Sequence, residues 1–332
     1  MAVFTEVSAE EASRLLRELR LGELRELRGI QGGIENTNYF VTSEHEGQSH
    51  EWVLTLFERL TPAQLPFYLY LMKHLAQRGI PVPDPQADAS GDVLHTVCGK
   101  PAALVNRLRG HSELSPGAVH CALVGDMLAR LHLAARDYER QQPNLRGLAW
   151  WNETVPVVLP YLDPDQAELL RAELAYQNHV AAGSTYAALP RGPIHADLFR
   201  DNAMFEDRAT GPVLTGFFDF YFAGVDTWLF DVAVCLNDWC IDLPTGAHDE
   251  ARAQAFLSAY AARRAFTAAE RRLLPAMLRA AALRFWISRL WDFHLPRQAA
   301  MLKPHDPAHF ERVLRGRVTR PLGADSGKFD CQ

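Results

Sequence analysis

Asp197, Asn202 and Asp219 follow one another within the strings Ile194–Asn202 (IHADLFRDN) and Phe217–Phe220 (FFDF). The first two are five residues apart, so a loop between short strands could present both to one site. Asp219 comes 22 residues after Asp197, at the end of a later strand-like stretch. This trio suits phosphoryl transfer from a metal nucleotide. One carboxylate receives the proton of an attacking hydroxyl, while an amide oxygen and a second carboxylate hold Mg²⁺ on the phosphates. Oxygen donors select a hard cation. His195, two residues before Asp197, leaves a transition-metal hydrolase as a rival reading. A polar loop of Asx turns would use the same residue types without any chemistry.

The surrounding elements favour the phosphotransferase. Ser8 and Glu11 form a capping-box pattern, and Leu15, Leu16 and Leu19 continue at helical spacing, which predicts a helix over 8–20. Strand-like stretches follow at 24–30, 37–42 and 52–57. Pro62 predicts a helix start running to Arg78, and two further strands are expected at 93–98 and 101–106. After Arg109-Gly110 the texture becomes helical, with helices expected at 115–136 and 163–182 and from Asp231 to Phe293. A β-rich lobe over 1–106 therefore precedes a larger helical lobe over 107–332, with Leu104 to Arg107 as the hinge.

At roughly 150 residues per domain, 332 residues suit two domains. The chain is 48% hydrophobic and 22% charged with a net charge of -6, which excludes a mainly disordered chain and argues against a broad nucleic-acid surface. No apolar run approaches the ~20 residues of a membrane span. The N-terminus lacks a basic stretch followed by an apolar core, so no secretory signal is expected. Five scattered cysteines without a CxxC pair point to a reducing cytoplasm. The expected partners are small molecules, with no nucleic acid and no membrane.

The strings HADLFRDN (His195–Asn202), FDF (Phe218–Phe220) and FDVA (Phe230–Ala233) resemble the aminoglycoside-phosphotransferase and choline-kinase-like superfamily. Its pattern is roughly H-G-D-x-x-x-x-N, then I-D-F, then y-D-l-A. The resemblance implies an α+β, bilobal protein-kinase-like fold, with a small antiparallel β-rich N-lobe for nucleotide and a larger helical C-lobe for catalysis and substrate. It implies ATP and Mg²⁺ as cofactors, Asp197 as base, and Asn202 and Asp219 as metal ligands. His195 would buttress the loop and Asp231 would tie it to the following helix. Gly32, Gly33, Asn36 and Thr55, with the hinge residues Leu104 and Val105, would bind nucleotide. No G-x-x-x-x-G-K-[ST] string occurs. Within the superfamily, GGIENTNYFV (Gly32–Val41), LTLFE (Leu54–Glu58), LAWW (Leu148–Trp151) and LRFWISRL (Leu283–Leu290) resemble the homoserine kinases of this fold, which implies L-homoserine as acceptor.

One departure stands out. Kinases of this fold usually carry a cation on the third strand, paired to a Glu on the next helix. Thr55 occupies the equivalent position, and residues 62–78 contain neither Glu nor Asp. Losing both halves together is coherent, since a lone buried charge is costly. A zwitterionic acceptor also needs a cationic fork and an ammonium partner. Arg284 and Arg289 are candidates for the first, Asp201 and Asp292 for the second. Two alternatives remain at this stage: a kinase of choline, ethanolamine, hydroxylysine or an aminoglycoside, and a non-catalytic nucleotide-binding protein.

Overall fold

The computed structural model describes residues 5–30, 36–295 and 305–320. The chain forms two compact units, Met1–Gly110 with Thr215–Phe220, and His111–Leu214 with Tyr221–Gln332.

The first unit opens with α1 (Ala9–Glu18), capped by Ser8, whose hydroxyl accepts the Glu11 N–H. Only half of the expected capping box forms, because the Glu11 carboxylate instead takes the Cys98 thiol hydrogen. Then come β1 (Glu23–Gly29), β2 (Asn36–His45), β3 (Gln48–Phe57), α2 (Leu65–Gln77), β4 (His95–Val97) and β5 (Lys100–Asn106). They make a five-stranded antiparallel sheet in the order β1-β2-β3-β5-β4. Ala12, Leu15 and Leu16 of α1, with Leu19 just past its end, bury one sheet face through Tyr39, Val41, Leu54, Leu56, Val97, Ala102 and Leu104. Full burial of each leucine stabilises by roughly 1.5–3 kcal/mol. Alternation then puts Asn38, Phe40, Val53, Thr55, Ala103 and Val105 on the other face.

One expectation shifts. Helix α2 begins at Leu65 and not Pro62, because Thr61 N–H and Oγ1 both donate to Gln64 Oε1 and fold the preceding residues into a turn. Residues 104–106 of the expected hinge lie within the strand expected at 101–106. They complete β5, paired Leu54–Leu104, Val53–Val105 and Trp52–Asn106 with β3.

The second unit contains α3 (Ala118–Ala134), α4 (Leu148–Val158), α5 (Pro164–Ala181), α6 (Ser184–Ala187), β6 (Arg191–Ile194), β7 (Ala203–Arg208) and β8 (Gly211–Phe217). It continues with β9 (Gly224–Thr227), α7 (Trp228–Trp239), α8 (Glu250–Arg263), α9 (Ala268–His294) and α10 (Ala308–Thr319). The last residues of β8 belong to the first unit. Helix α7 is buried along its whole length. Gly125 lets α3 and α8 meet closely: a Cβ there would stand 2.3 Å from the Phe256 carbonyl oxygen. Trp151 buries its ring and donates Nε1–H to the Arg146 carbonyl at 2.6 Å, while Trp150 lies under the Arg146 guanidinium at 4.4 Å.

Candidate active site

Residues 195–202 leave β6 and turn through a short 3-10 segment at Arg200–Asn202 into β7. Helix α7 holds this loop with side chains that recur along one face. Asp231 accepts the His195 N–H on Oδ2 and the Ala196 N–H on Oδ1, both at 2.8 Å. Cys235 Sγ and Trp239 Nε1 both donate to the Leu198 carbonyl. Asp238 Oδ2 accepts the Arg200 backbone N–H at 2.8 Å and its Nε–H at 3.1 Å. The tie between Asp231 and the loop is the one the sequence leads one to expect. Ala196 sits at φ 64, where a non-glycine residue costs on the order of 1–3 kcal/mol, and the α7 bonds hold it there.

Behind Asp231 stands a residue that sequence reasoning misses. His132 of α3 is fully buried, with Nε2 3.1 Å from Asp231 Oδ2 and Nδ1 2.7 Å from the Tyr260 hydroxyl. Burial drives the His132 pKa down and keeps the ring neutral. Burial alone would raise Asp231, but the His132 hydrogen bond and the loop N–H groups outweigh it and hold its pKa below the usual carboxylate range. The only prior sign of His132 was a lone histidine on an apolar helix. His195 is also buried, and its Nδ1 accepts the Asp197 N–H at 3.3 Å.

Asp197 keeps a carboxylate that is 16% exposed. Asn202 donates Nδ2–H to the Asp197 carbonyl at 2.8 Å, which fixes the amide and leaves Oδ1 without a donor among the described residues. An amide oxygen presented this way fits a hard cation. Asp219 lies just past β8 at φ 65, another left-handed non-glycine residue. The segment bearing it is held in the first unit by Phe217 N–H to Pro81 O (3.0 Å) and Thr215 Oγ1–H to Arg109 O (2.6 Å). Among the described residues, no group of three or more His, Cys, Asp or Glu side chains could hold a metal ion.

Arg284 of α9 reaches Asp197, with Nη2 3.9 Å from Oδ1. Its side chain is only 4% exposed, and Nε and Nη2 have no hydrogen-bond partner among the described residues. The guanidinium lies 3.8 Å from the Phe285 ring centroid and 5.1 Å from that of Phe222. Burial pushes its pKa down to about 10, against the opposing pull of Asp197. Arg289, further along α9, is half-buried and likewise lowered by burial, with Asp197, Asp292 and Asp201 pulling the other way. Asp201 is exposed, its carbonyl accepting the Ser112 hydroxyl.

In the first unit, Asn36 and Thr55 share the sheet face turned away from α1, and Val105 joins them. Leu104 does not. Its side chain is buried in the α1 cluster, and its carbonyl already accepts the Gln86 N–H at 2.8 Å. Gly32 and Gly33 lie outside the described residues. Both described lysines are engaged away from Thr55, Lys73 with Asp84 and Lys100 with Glu58.

Residues 26–274 match the model of the phosphotransferase enzyme family, and the chain belongs to that family. A homoserine kinase of Polaromonas naphthalenivorans is 69% identical over 97% of this chain and 99% of its own length. One from Cupriavidus necator is 60% identical over 98% and 97%. Among solved structures, an amicoumacin kinase in complex with AMP-PNP and Ca²⁺ matches with a TM-score of 0.63 at 17% identity, covering 92% of this chain and 91% of that one. Choline kinase from Cryptosporidium parvum matches at 0.59 and 13% identity, over 94% of each chain. The structural matches establish the kinase-like fold.

Proposed function

We propose that this chain transfers the γ-phosphoryl group of ATP to the side-chain hydroxyl of L-homoserine, giving O-phospho-L-homoserine in threonine synthesis. Free thiols at Cys98, Cys121, Cys235 and Cys240 accord with a cytoplasmic setting. The observation that carries the acceptor assignment is Arg284: a buried guanidinium, unsatisfied at two nitrogens, 3.9 Å from the Asp197 carboxylate. Leaving a buried cation unsatisfied is costly, so a ligand anion is its natural complement. In homoserine the hydroxyl oxygen and the carboxylate carbon are four bonds apart, about 5 Å when extended. An acceptor that short reaches a base and an adjacent guanidinium at the same time. A choline ammonium or a polycationic aminoglycoside would instead meet a like charge at Arg284.

In this mechanism Asp197 orients the hydroxyl and accepts its proton as the O–P bond forms. Because phosphoryl transfer has little covalent chemistry for the protein to perform, positioning is the greater part of that role. Arg284, with Arg289 beside it, takes the acceptor carboxylate, and Asp201 faces the ammonium. Asn202 and Asp219 are the residues that would hold Mg²⁺, and the cation would neutralise phosphate charge. Asn36, Thr55 and Val105 line the nucleotide side. Asp231, backed by His132, keeps the Asp197 loop in its left-handed turn.

The test is ADP release with Mg-ATP across homoserine, serine, threonine, choline, hydroxylysine and kanamycin. Homoserine should turn over best. Turnover of another alcohol with homoserine inactive would overturn the acceptor and leave the reaction class standing, whereas no ADP release with any of them would favour a non-catalytic nucleotide binder.

A further inference from the structure

A kinase-like sheet without a strand lysine must hold its phosphates by other means, and the first unit contains a pair of residues suited to that task. Thr55 of β3 stands directly opposite Asn38 of β2, and Ala103 of β5 completes the same rung. The Thr55 hydroxyl donates to Asn38 Oδ1 at 2.8 Å. Thr55 is 7% exposed, whereas Asn38 is only half-buried. With its oxygen engaged, the Asn38 amide has one orientation, and its Nδ2 keeps both hydrogens without a partner among the described residues. The Asn38 carbonyl accepts the Ile30 N–H at 2.8 Å, just past the end of β1. The face that carries Asn38 is the one turned away from α1.

We propose that Asn38, oriented by Thr55, is a phosphate-binding residue for the nucleotide triphosphate, a neutral donor where a lysine would otherwise stand. The proposal rests on the phosphotransferase reading above and goes beyond it in naming what takes over from the missing ion pair. The chemistry is self-consistent. A lysine on β3 needs a carboxylate to hold it, and α2 has none, whereas an amide needs only one hydrogen bond to set its direction, and Thr55 supplies it. A neutral donor adds no Coulombic attraction, so its contribution comes from hydrogen bonds to charged oxygens. Thr55 acts through Asn38 and is a positioning residue.

The experiment is calorimetric titration of the full chain with Mg-ATP, ADP, AMP and adenosine, for wild type and for Asn38→Ala, Asn38→Asp, Thr55→Val and Thr55→Ser. Asn38→Ala should weaken ATP by about 10–100-fold, the effect of one charge-assisted hydrogen bond. Asn38→Asp should weaken it further, since it sets a carboxylate against the phosphates. Adenosine should bind all variants equally well, which also shows that they are folded. Thr55→Val should reproduce part of the loss, and Thr55→Ser should restore wild-type affinity. Unchanged ATP affinity in both Asn38 variants, or equal weakening of ATP and adenosine, overturns the proposal. A wild type that binds adenosine and ATP alike, with no phosphate contribution, overturns it too. Failure of wild type to bind any of these nucleotides would instead refute the underlying kinase reading.

Discussion

Arg284 Nη2 stands 3.9 Å from Asp197 Oδ1, beyond hydrogen-bond reach. The two groups attract without closing on each other, and the guanidinium lies against the Phe285 and Phe222 rings. Under the proposed function, in which Asp197 takes the acceptor hydroxyl, a buried arginine in this position would take the anion that arrives with it.

Arg284→Ala should therefore raise the homoserine KM while leaving the ATP KM nearly unchanged. Loss of a charge-assisted contact in a desolvated site is worth on the order of 2–4 kcal/mol. Arg284→Lys should recover little of it, because an ammonium cannot reproduce the planar fork. Steady-state kinetics with each substrate varied separately checks this, and an unchanged homoserine KM in both variants would assign Arg284 to structure.

Stability should fall on acidification through two histidines. Burial and the Arg317 charge lower the His248 pKa to about 3, and burial lowers that of His132. The unfolded chain protonates both near 6.5, so it binds more protons than the folded chain below that pH. Stability is thus fully present above ~6.5 and decreases as pH falls, by roughly 1.4 kcal/mol per unit for each group that stays neutral when folded. The depressed Asp231 pKa adds a loss at still lower pH. Urea unfolding from pH 8 to 5 measures the slope, and His248→Phe should flatten it. An unaltered slope would remove His248 from the explanation.

How much of this was legible in the sequence depended on range. Ser8 caps α1 through a contact three residues away, and the 195–202 loop brings Asp197 and Asn202 together within eight residues, so both are readable locally. The charge of Arg284 on an apolar helix was visible as an anomaly. The partnership of Asn38 with Thr55 was not, because it depends on the β2–β3 register. His132 reaches Asp231 across 99 residues of sequence, and no local pattern announces that contact. The strand expected at 101–106 was readable from its own residues, and β5 spans Lys100–Asn106.

Gly216→Ala should disturb the segment that carries Asp219. A Cβ there would stand 2.6 Å from the Pro81 carbonyl oxygen and 2.7 Å from Leu108 Cδ1. Backbone on one side cannot yield cheaply, so a loss of about 1–3 kcal/mol is expected, the usual range for overpacking. Activity should fall with a higher Mg²⁺ requirement. Thermal unfolding and a Mg²⁺ titration of the rate, both matching wild type, would show that the close approach has slack.

The two metal-ligand assignments should separate by charge. Asp219→Ala removes a carboxylate, so turnover should nearly vanish and the Mg²⁺ dependence should move to higher concentration. Asn202→Ala removes a neutral oxygen and also the bond to the Asp197 carbonyl, so the same metal shift should be milder. Since no lysine accompanies Thr55 among the described residues, wild-type ATP affinity should itself depend strongly on Mg²⁺. Calorimetry with and without the cation tests that point, and equal affinity in the two conditions would refute it.

The most direct measurement follows the product by ³¹P NMR, with homoserine and Mg-ATP, in wild type and Asp197→Asn. Wild type should convert ATP to ADP with an equal amount of a phosphomonoester whose signal is split into a triplet by the adjacent CH₂. Asp197→Asn should bind Mg-ATP normally yet form that product roughly 10²–10⁴ times more slowly, the range for losing a general base. Formation of the triplet at the wild-type rate in Asp197→Asn, or an unsplit acyl-phosphate signal in wild type, would contradict the account.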